Sequence, residues 1–463
     1  MLDRVKIIGG KEVAPNDTNG LNKLQELSTL PHVRTPSIAL PDFHWKQSME
    51  APSSIAISVK GHIIPHLTST SMNCGMGAIV TNLHTNDIQD EGFGRFYDSF
   101  RSAKEDPRYE VSKEVLYQML RLGPKGLQEK YKIEDEIVSS FEFKGNTFGD
   151  DVADLEDVSR VIPADIVDHE LYSGRSNLGT GFGGNHFLEI QKVSSIIDEK
   201  TAHSKNIKEV GQIIIMYHGG GGIIPGLIGA YFSKRNLGYT NDIKTNLRRY
   251  LYHLQRSGLK NAFSLFRYYL YSPPYVAFPS QGCEGKRLAF ANQCSMNYGY
   301  AYRMFMLLRT RDCLAELFGQ DGGRCTLYSD VAHNSILPDE VALGEVWVHR
   351  HNSCRVTDGD LMVLPGFNNT SSYLCIGDHG SSVSDHTVPH GAGALIKQYI
   401  ESGRLSVNKE NKTLIYRNQN TVPEIKEHVT DEAIDALIDD LRQQGIMRPV
   451  AKLTPMAVLK DFR

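Results

Sequence analysis

The residues able to carry chemistry in this chain are spread over most of its length, and each sits in a strand-like run or a glycine-rich turn. Cys74 lies in Asn73-Cys74-Gly75-Met76, His186 in Gly184-Asn185-His186-Phe187-Leu188-Glu189, and His218 in Tyr217-His218-Gly219. His333 lies in Asp330-Val331-Ala332-His333-Asn334 and His390 in Pro389-His390-Gly391-Ala392-Gly393. Strand ends and glycine turns are places where backbones approach ligands and side chains project into clefts. If these residues meet, segments from residue 74 to residue 390 must interleave around one site. A chain of 463 residues could otherwise divide into about two or three domains. The spread instead predicts one large catalytic domain over residues 1–463.

Composition narrows the class. A hydrophobic content of 40% and a charged content of 22% are ordinary for a globular enzyme. The net charge of −4 excludes wholesale coating of nucleic acid but allows a local basic groove, because binding follows the local field. Met1-Leu2-Asp3-Arg4-Val5-Lys6 lacks the apolar core of a signal peptide. No apolar run reaches the roughly eighteen residues of a membrane span, so no membrane association is expected. The cysteines number seven, an odd count with no pairing rhythm, which fits a reducing compartment. The expected location is the cytoplasm, and the sequon Asn368-Asn369-Thr370 is then accidental.

Periodicity predicts a short strand at 5–8, a helix near 22–27 and a strand at 53–59, followed by a turn at 61–65 into a second apolar piece. Residues 90–132 read as helical and charged, and 149–157 as an acidic loop leading into a helix. The strands bearing chemistry are expected at 185–190, 212–218 and 326–331. A mainly helical insertion is expected over about 240–320. It includes a basic helix at 242–251 and a long helix at 288–318 with Arg303, Arg309 and Arg311 on its polar side. Residues 363–376 read as strand, turn and strand, and 430–444 as a closing helix. The fold class predicted is α+β, with mixed sheets and peripheral helices.

Cys74, His186, His218 and His333 supply one thiol and three imidazoles, a donor set suited to a divalent cation. His218 is set apart by the four glycines that follow it, and His333 by the strand carrying Asp330. Spacing alone leaves each open between ligand and structural imidazole or packed thiol. None shows the tight spacing of a zinc ribbon.

These motifs, in this order, resemble the RtcB-type RNA ligase family along nearly the whole chain. The resemblance matches Cys74 in its Cys-Gly-Met turn, His186 in Gly-Asn-His-Phe-Leu-Glu, His218 before its glycine turn and His333 in Asp-Val-Ala-His-Asn. It implies two divalent metals, normally manganese, with Cys74, His218 and His333 on one and Cys74 with His186 on the other. His390 matches the family's nucleophile, which attacks the α-phosphate of GTP and becomes a histidine–guanylate. A neutral imidazole is a good nucleophile near neutral pH. Asp42, in Pro41-Asp42-Phe43-His44, matches the Asp that orients that imidazole. By the same resemblance Asn185, Phe187, Glu189, Asn334, Gly391, Ala392, Gly393 and Lys460 contact the nucleotide, with Lys460 at guanine. The implied partner is RNA with a 3′-phosphate or 2′,3′-cyclic phosphate end and a 5′-hydroxyl end. The resemblance also leaves room for an activating protein.

The chain departs from the family pattern at several positions. Ser71 stands where a metal-binding Asp is usual, and Gly222 and Ala394 stand where arginines are usual. Trp45, Lys46 and Gln47 replace glycines, and Pro365-Gly366-Phe367-Asn368-Asn369 replaces a Pro-Gly-Ser-Met-Gly turn. A hydroxyl is a poor substitute for a carboxylate on a hard cation. The Cys/His set without it leans from manganese toward zinc. The expectation is a GTP- and metal-dependent RNA ligase. The alternatives are a guanylyltransferase that does not seal, or a catalytically weak RNA- or nucleotide-binding relative.

Overall fold

The computed structural model describes residues 3–88, 90–103, 106–149, 155–173, 178–221, 223–233, 243–271, 274–342, 344–417 and 422–460. Gly222, Asp242 and residues 150–154 of the predicted acidic loop lie outside them. The fold is α+β, built on two sheets that share a chain.

The larger sheet runs, in spatial order, Leu361–Leu364, Ser372–Gly377, Met447–Lys460, Phe187–Ile196, Gln212–Gly219, Gly75–His84 and Cys325–Ala332, with every one of these pairs antiparallel. Met447–Lys460 is long enough to change partners. Its last residues take Val407–Arg417 in parallel, through Leu414↔Ala457, and Glu424–Val429 pairs outside that strand. Gln212–Gly219 lies centrally and is buried throughout, which explains why Ile213-Ile214-Ile215-Met216 reads as a continuous apolar run rather than an alternating one.

The second sheet has the order Val5–Ile7, Ser37–His44, Ser53–Val59, Gly344–His351, Asn334–Val341. Cys325–Ala332 belongs to the first sheet and Asn334–Val341 to the second, so His333 is the residue at which the chain passes between them. At Asn352, whose φ is 49°, the chain leaves the second sheet. It continues as Ser353–Arg355, paired with Thr387–Pro389, and the next residue is His390. The junction of the two sheets therefore collects residues distant in sequence.

A helix over Cys283–Gly322 packs beside the larger sheet, near the shorter helices Ile223–Phe232, Ile243–Ser257 and Ala262–Tyr269. Its arginines correct the sequence expectation. Arg303 and Arg309 are fully buried rather than on a solvent face. Each has an internal partner that offsets desolvation. Arg303 pairs with Asp330, while Arg309 donates to the carbonyls of Leu178 and Ala103 and stacks on Tyr109. Among the described residues no helix is long and apolar enough to cross a membrane.

Candidate active site

Cys74 sits one residue before the Gly75–His84 strand, in a turn made by Asn73 at φ 51°. Arg303 fixes that turn from below. Its Nη1 donates to the Asn73 carbonyl at 2.6 Å and its Nη2 to Asn73 Oδ1 at 2.8 Å, while its Nε donates to Asp330 Oδ2 at 2.8 Å. The Tyr217 hydroxyl donates to the same Asp330 oxygen at 2.7 Å. Gly75 is what permits this approach: a Cβ there would lie 2.5 Å from the Val331 carbonyl oxygen and 2.6 Å from the guanidinium. The His333 N–H then donates to the Cys74 carbonyl at 2.8 Å.

Register does the rest. Met76 and Phe187 both pair with His218, and Gly75 pairs with Ala332, so Cys74, His186, His218 and His333 emerge at one end of adjacent strands. Gly220 leaves space for an imidazole, since a Cβ on it would stand 2.9 Å from His186 Cε1. Cys74 Sγ is 3.2 Å from His186 Nε2 and 3.4 Å from His218 Nε2, and His218 Nε2 is 2.9 Å from His333 Nε2.

This arrangement fits a cation. Ligand atoms of Cys74, His186 and His218 lie within 4.8 Å of one another, and His333 adjoins the group through its Nε2, 2.9 Å from His218 Nε2. Burial lowers His186 to about 4 and holds His218 and His333 well below the usual histidine range. All three are therefore neutral, the form that ligates. Burial pushes the Cys74 thiol up to about 12 against the nearby Arg303 charge, so thiolate formation needs a cation. Among the described residues no carboxylate joins the cluster. Ser71 contributes its carbonyl to the local backbone, accepting from the Cys74 N–H and from Asn334 Nδ2, each at 3.2 Å.

His390 stands over this floor, its ring centroid 4.8 Å from that of His333 and 6.2 Å from that of His218. Its Nδ1 is 3.6 Å from Asp42 Oδ2. Asp42 has φ 72° and lies where the pairing of Ser37–His44 with Ser53–Val59 shifts register, a bulge that re-aims its side chain. Its Oδ1 accepts the Ala394 N–H at the start of the Gly393–Glu401 helix. Burial drives Asp42 up to about 8 against the Ala394 and Leu395 amides, and drives His390 down to about 4.

A cleft of about 740 Å³ opens here. Asp42, His390, Gly391, Ala392 and Gly393 form one side, and Asn185, Phe187, Glu189 and Lys460 another, with His218 reaching in from the floor. Val458 pairs with Glu189 and Leu459 with Leu188, which brings Lys460 beside Glu189. Burial raises Glu189 to about 8 despite a 2.7 Å hydrogen bond from Gln191 Nε2 and the Lys460 charge. Burial lowers Lys460, with Glu189 opposing.

Asn334 does not line the cleft. Its Nδ2 donates to Ser71 and its Oδ1 accepts the Asn352 N–H at 2.9 Å, so it braces the two turns that frame the floor. Sequence reading missed the Arg303–Asp330–Tyr217 network and Glu142, whose Oε2 accepts the Ala332 N–H at 3.0 Å. An arginine inside an otherwise apolar helical run was the available signal. A larger recess of about 1500 Å³, lined by Val80–Leu83 and Cys325, holds none of the candidate residues.

The fold and site define an α+β protein whose sheet junction carries a Cys/His cluster able to hold a cation, beneath a polar cleft. Comparison with known sequences identifies the family. Residues 23–461 match the family described as tRNA-splicing ligase RtcB, and the chain belongs to that family. It is 25% identical to the tRNA-splicing ligase RtcB of Methanococcus maripaludis, over 95% of this chain and 90% of that one. It is 24% identical to the protein of the same name from Pyrobaculum aerophilum, over 93% and 89%, and 24% identical to the RNA-splicing ligase RtcB of Mycobacterium bovis, over 94% and 99%.

Proposed function

We propose that this protein is a GTP- and divalent-metal-dependent RNA ligase that joins a 3′-phosphate or 2′,3′-cyclic phosphate end to a 5′-hydroxyl end through a histidine–guanylate. The observation that carries the reading is His390, a half-buried neutral imidazole beside Asp42, set over the Cys/His cluster and in the same cleft as Glu189 and Lys460.

Cys74, His218 and His333 would hold one ion, with Cys74 and His186 offering a second position. The ion is manganese by family resemblance, and the nitrogen–sulfur donors also suit zinc. When bound it supplies positive charge against the triphosphate. The remaining work falls to the chain. His390 attacks the α-phosphorus of GTP, forming a P–N bond as the bond to the departing pyrophosphate breaks. Asp42, 3.6 Å from Nδ1, would accept Nδ1–H once ionised and so leave the lone pair on Nε2. Glu189 and Lys460 offer an acceptor and a donor to the edge of guanine. A 2′,3′-cyclic phosphate is first opened by water to a 3′-phosphate. A 3′-phosphate oxygen then attacks the guanylate phosphorus as the P–N bond to His390 breaks, and attack by the 5′-hydroxyl on the activated 3′-phosphate releases GMP.

A second reading, guanylyl transfer without sealing, draws support from the cleft's cations. Among the described residues these are Lys46, Lys397 and Lys460, with no arginine, so bidentate grip on a second phosphate is lacking.

Labelled GTP with manganese, followed by a denaturing gel, tests the core claim. The expected result is an acid-labile, alkali-stable protein label, reduced at least about a thousandfold by His390→Ala. Persistent labelling in that variant would remove His390 as the nucleophile. Joining of a two-piece RNA then separates ligation from transfer alone.

A further inference from the structure

The helices Ile243–Ser257 and Ala262–Tyr269 present an outer face that the cleft does not use. Their inner face is fastened. Buried Glu284 accepts from Arg287 at 2.7 Å and from the Tyr269 hydroxyl at 2.8 Å, and lies 3.1 Å from His253 Nδ1. The His253 and Tyr269 rings stack at 3.8 Å. The outer face is therefore held outward by design of the inner one, and two features mark it.

The first is charge. No Asp or Glu occurs from Ile243 to Tyr271, in a chain whose net charge is −4. Lys244, Arg248, Arg256, Lys260 and Arg267 are all exposed. The second is apolar exposure of a particular kind. Phe263 is 83% exposed, Phe266 48% and Tyr271 75%, beside Leu259 at 80% and Ile243 at 85%. Side chains this free stand proud of the surface rather than lining a groove. Along the sequence, cation and aromatic alternate as Lys260, Phe263, Arg267 and Tyr271, at steps of three, four and four residues. Phe263 and Arg267, four apart within the Ala262–Tyr269 helix, are helical neighbours roughly 5–6 Å apart, a step comparable to one nucleotide of extended single strand. Lys260 and Tyr271 stand just beyond the two ends of that helix. Cations that follow a backbone, interleaved with aromatic rings that accept a base of any identity, are the elements of sequence-tolerant single-strand recognition.

We infer that this face is a docking platform for the single-stranded body of an RNA substrate, separate from the cleft that handles its end. The inference rests on the proposed RNA substrate. The lysines and arginines neutralise phosphates, and Phe263, Phe266 and Tyr271 stack with unpaired bases. None of these residues lines the cleft, so binding here adds affinity without altering guanylylation.

The test uses the full-length protein with a fluorescent single-stranded RNA, titrated at several salt concentrations, alongside GTP labelling. Lys260→Glu/Arg267→Glu should weaken RNA binding at least tenfold and reduce the salt slope by about 1.4, the share of two phosphates on a single strand. Phe263→Ala/Tyr271→Ala should weaken binding roughly tenfold with the salt slope unchanged. Both variants should label with GTP as the unaltered protein does, which also shows that they fold. Unchanged RNA affinity in both would overturn the platform. So would RNA affinity that survives while binding to phosphatidylserine vesicles or self-association is lost, since the face would then serve a membrane or a second copy. Absence of GTP label in every protein, with RNA binding still lost in the variants, would leave the platform standing and remove the histidine–guanylate reading instead.

Discussion

The floor of the site and the wall of its cleft are built by different means. The floor donors issue from the ends of adjacent core strands, with Cys74, His218 and His333 buried and His186 half-buried, and their turns are pinned by Arg303, Asp330, Asn73 and Asn334. The wall mixes strand residues, Asp42, Phe187 and Glu189, with loops and strand ends: His390 before a helix, Asn185 before a strand, Lys460 at the close of the last described strand. Sheet register specifies positions closely because a slip of one residue reverses every side chain, so the floor is pre-placed before any ligand arrives. Loops tolerate change far better, and the departures at Trp45, Lys46, Phe367 and Ala394 lie along the wall of the cleft. The candidate ligand set is thus written into the fold, while the departures from the family pattern gather along the wall.

The sharpest way to break this comparison is to loosen the floor. Arg303→Met leaves Asp330 buried without its partner, and loss of one member of a buried pair costs about 3–5 kcal/mol. Urea unfolding should register that loss, and Asp330→Asn added to Arg303→Met should recover part of it. A loss under about 1 kcal/mol would show that the network does not hold the floor. Next in size is the metal. The Cys74, His218 and His333 position should retain an ion through dialysis, while the Cys74 and His186 position, with Ser71 in place of a carboxylate, should lose it. Elemental analysis is expected to find close to one tight ion per chain, and Ser71→Asp should raise that number. Two equally tight ions in the unaltered protein would show that another donor replaces the missing carboxylate.

A smaller effect separates floor from wall by pH. Asp42 and Glu189 are each raised to about 8 by burial, so the folded state holds protons that the unfolded state has released. A carboxyl raised in this way stabilises at low pH, and the contribution is lost as pH rises toward its folded value. Between about 6.5 and 8 the imidazole of His390, lowered to about 4, is essentially neutral when folded. Each carboxyl should therefore lower thermal stability across that window by the order of 1–2 kcal/mol, and Asp42→Asn should remove one of the two shares. GTP labelling should move the other way, increasing as Asp42 ionises and holds Nδ1–H. Stability constant from pH 6.5 to 8 would remove the buried, protonated carboxyls from the account.

How much of this was legible beforehand follows the same division. The strands at 53–59, 212–218 and 326–331 announced themselves through apolar or alternating runs, and the structure extends the last two by one residue or two. Asn334–Val341, Gly344–His351 and Val407–Arg417 were not foreseen. Each mixes charges into the strand, as in Leu337-Pro338-Asp339-Glu340 and Asn408-Lys409-Glu410, so local propensity gives no signal and only pairing supplies the strand. The candidate ligands were readable because glycines and strand ends flag them. Arg303 was flagged only by its place in an apolar helical run, and a buried arginine and a solvated one look alike until Asp330, half a helix and a turn further along the chain, is seen beside it.

The finest distinction concerns the wall alone. Lys460 and Glu189 lie at the edge of the cleft, where Lys460 is half-buried and its ammonium charge is opposed by burial and supported by Glu189. A lysine donates to the carbonyl of guanine, whereas adenine presents an amino group at the same position. Lys460→Ala should therefore raise KM for GTP about tenfold, the size of one charge-assisted hydrogen bond lost at a partly wet site, and bring GTP and ATP closer together in the labelling assay. It should leave metal content and urea stability unchanged, because the residue touches neither the Cys/His cluster nor the core. Equal use of GTP and ATP by the unaltered protein would remove Lys460 from base recognition. A change in metal content would show that wall and floor are coupled, and that the division between them is not the way this site is built.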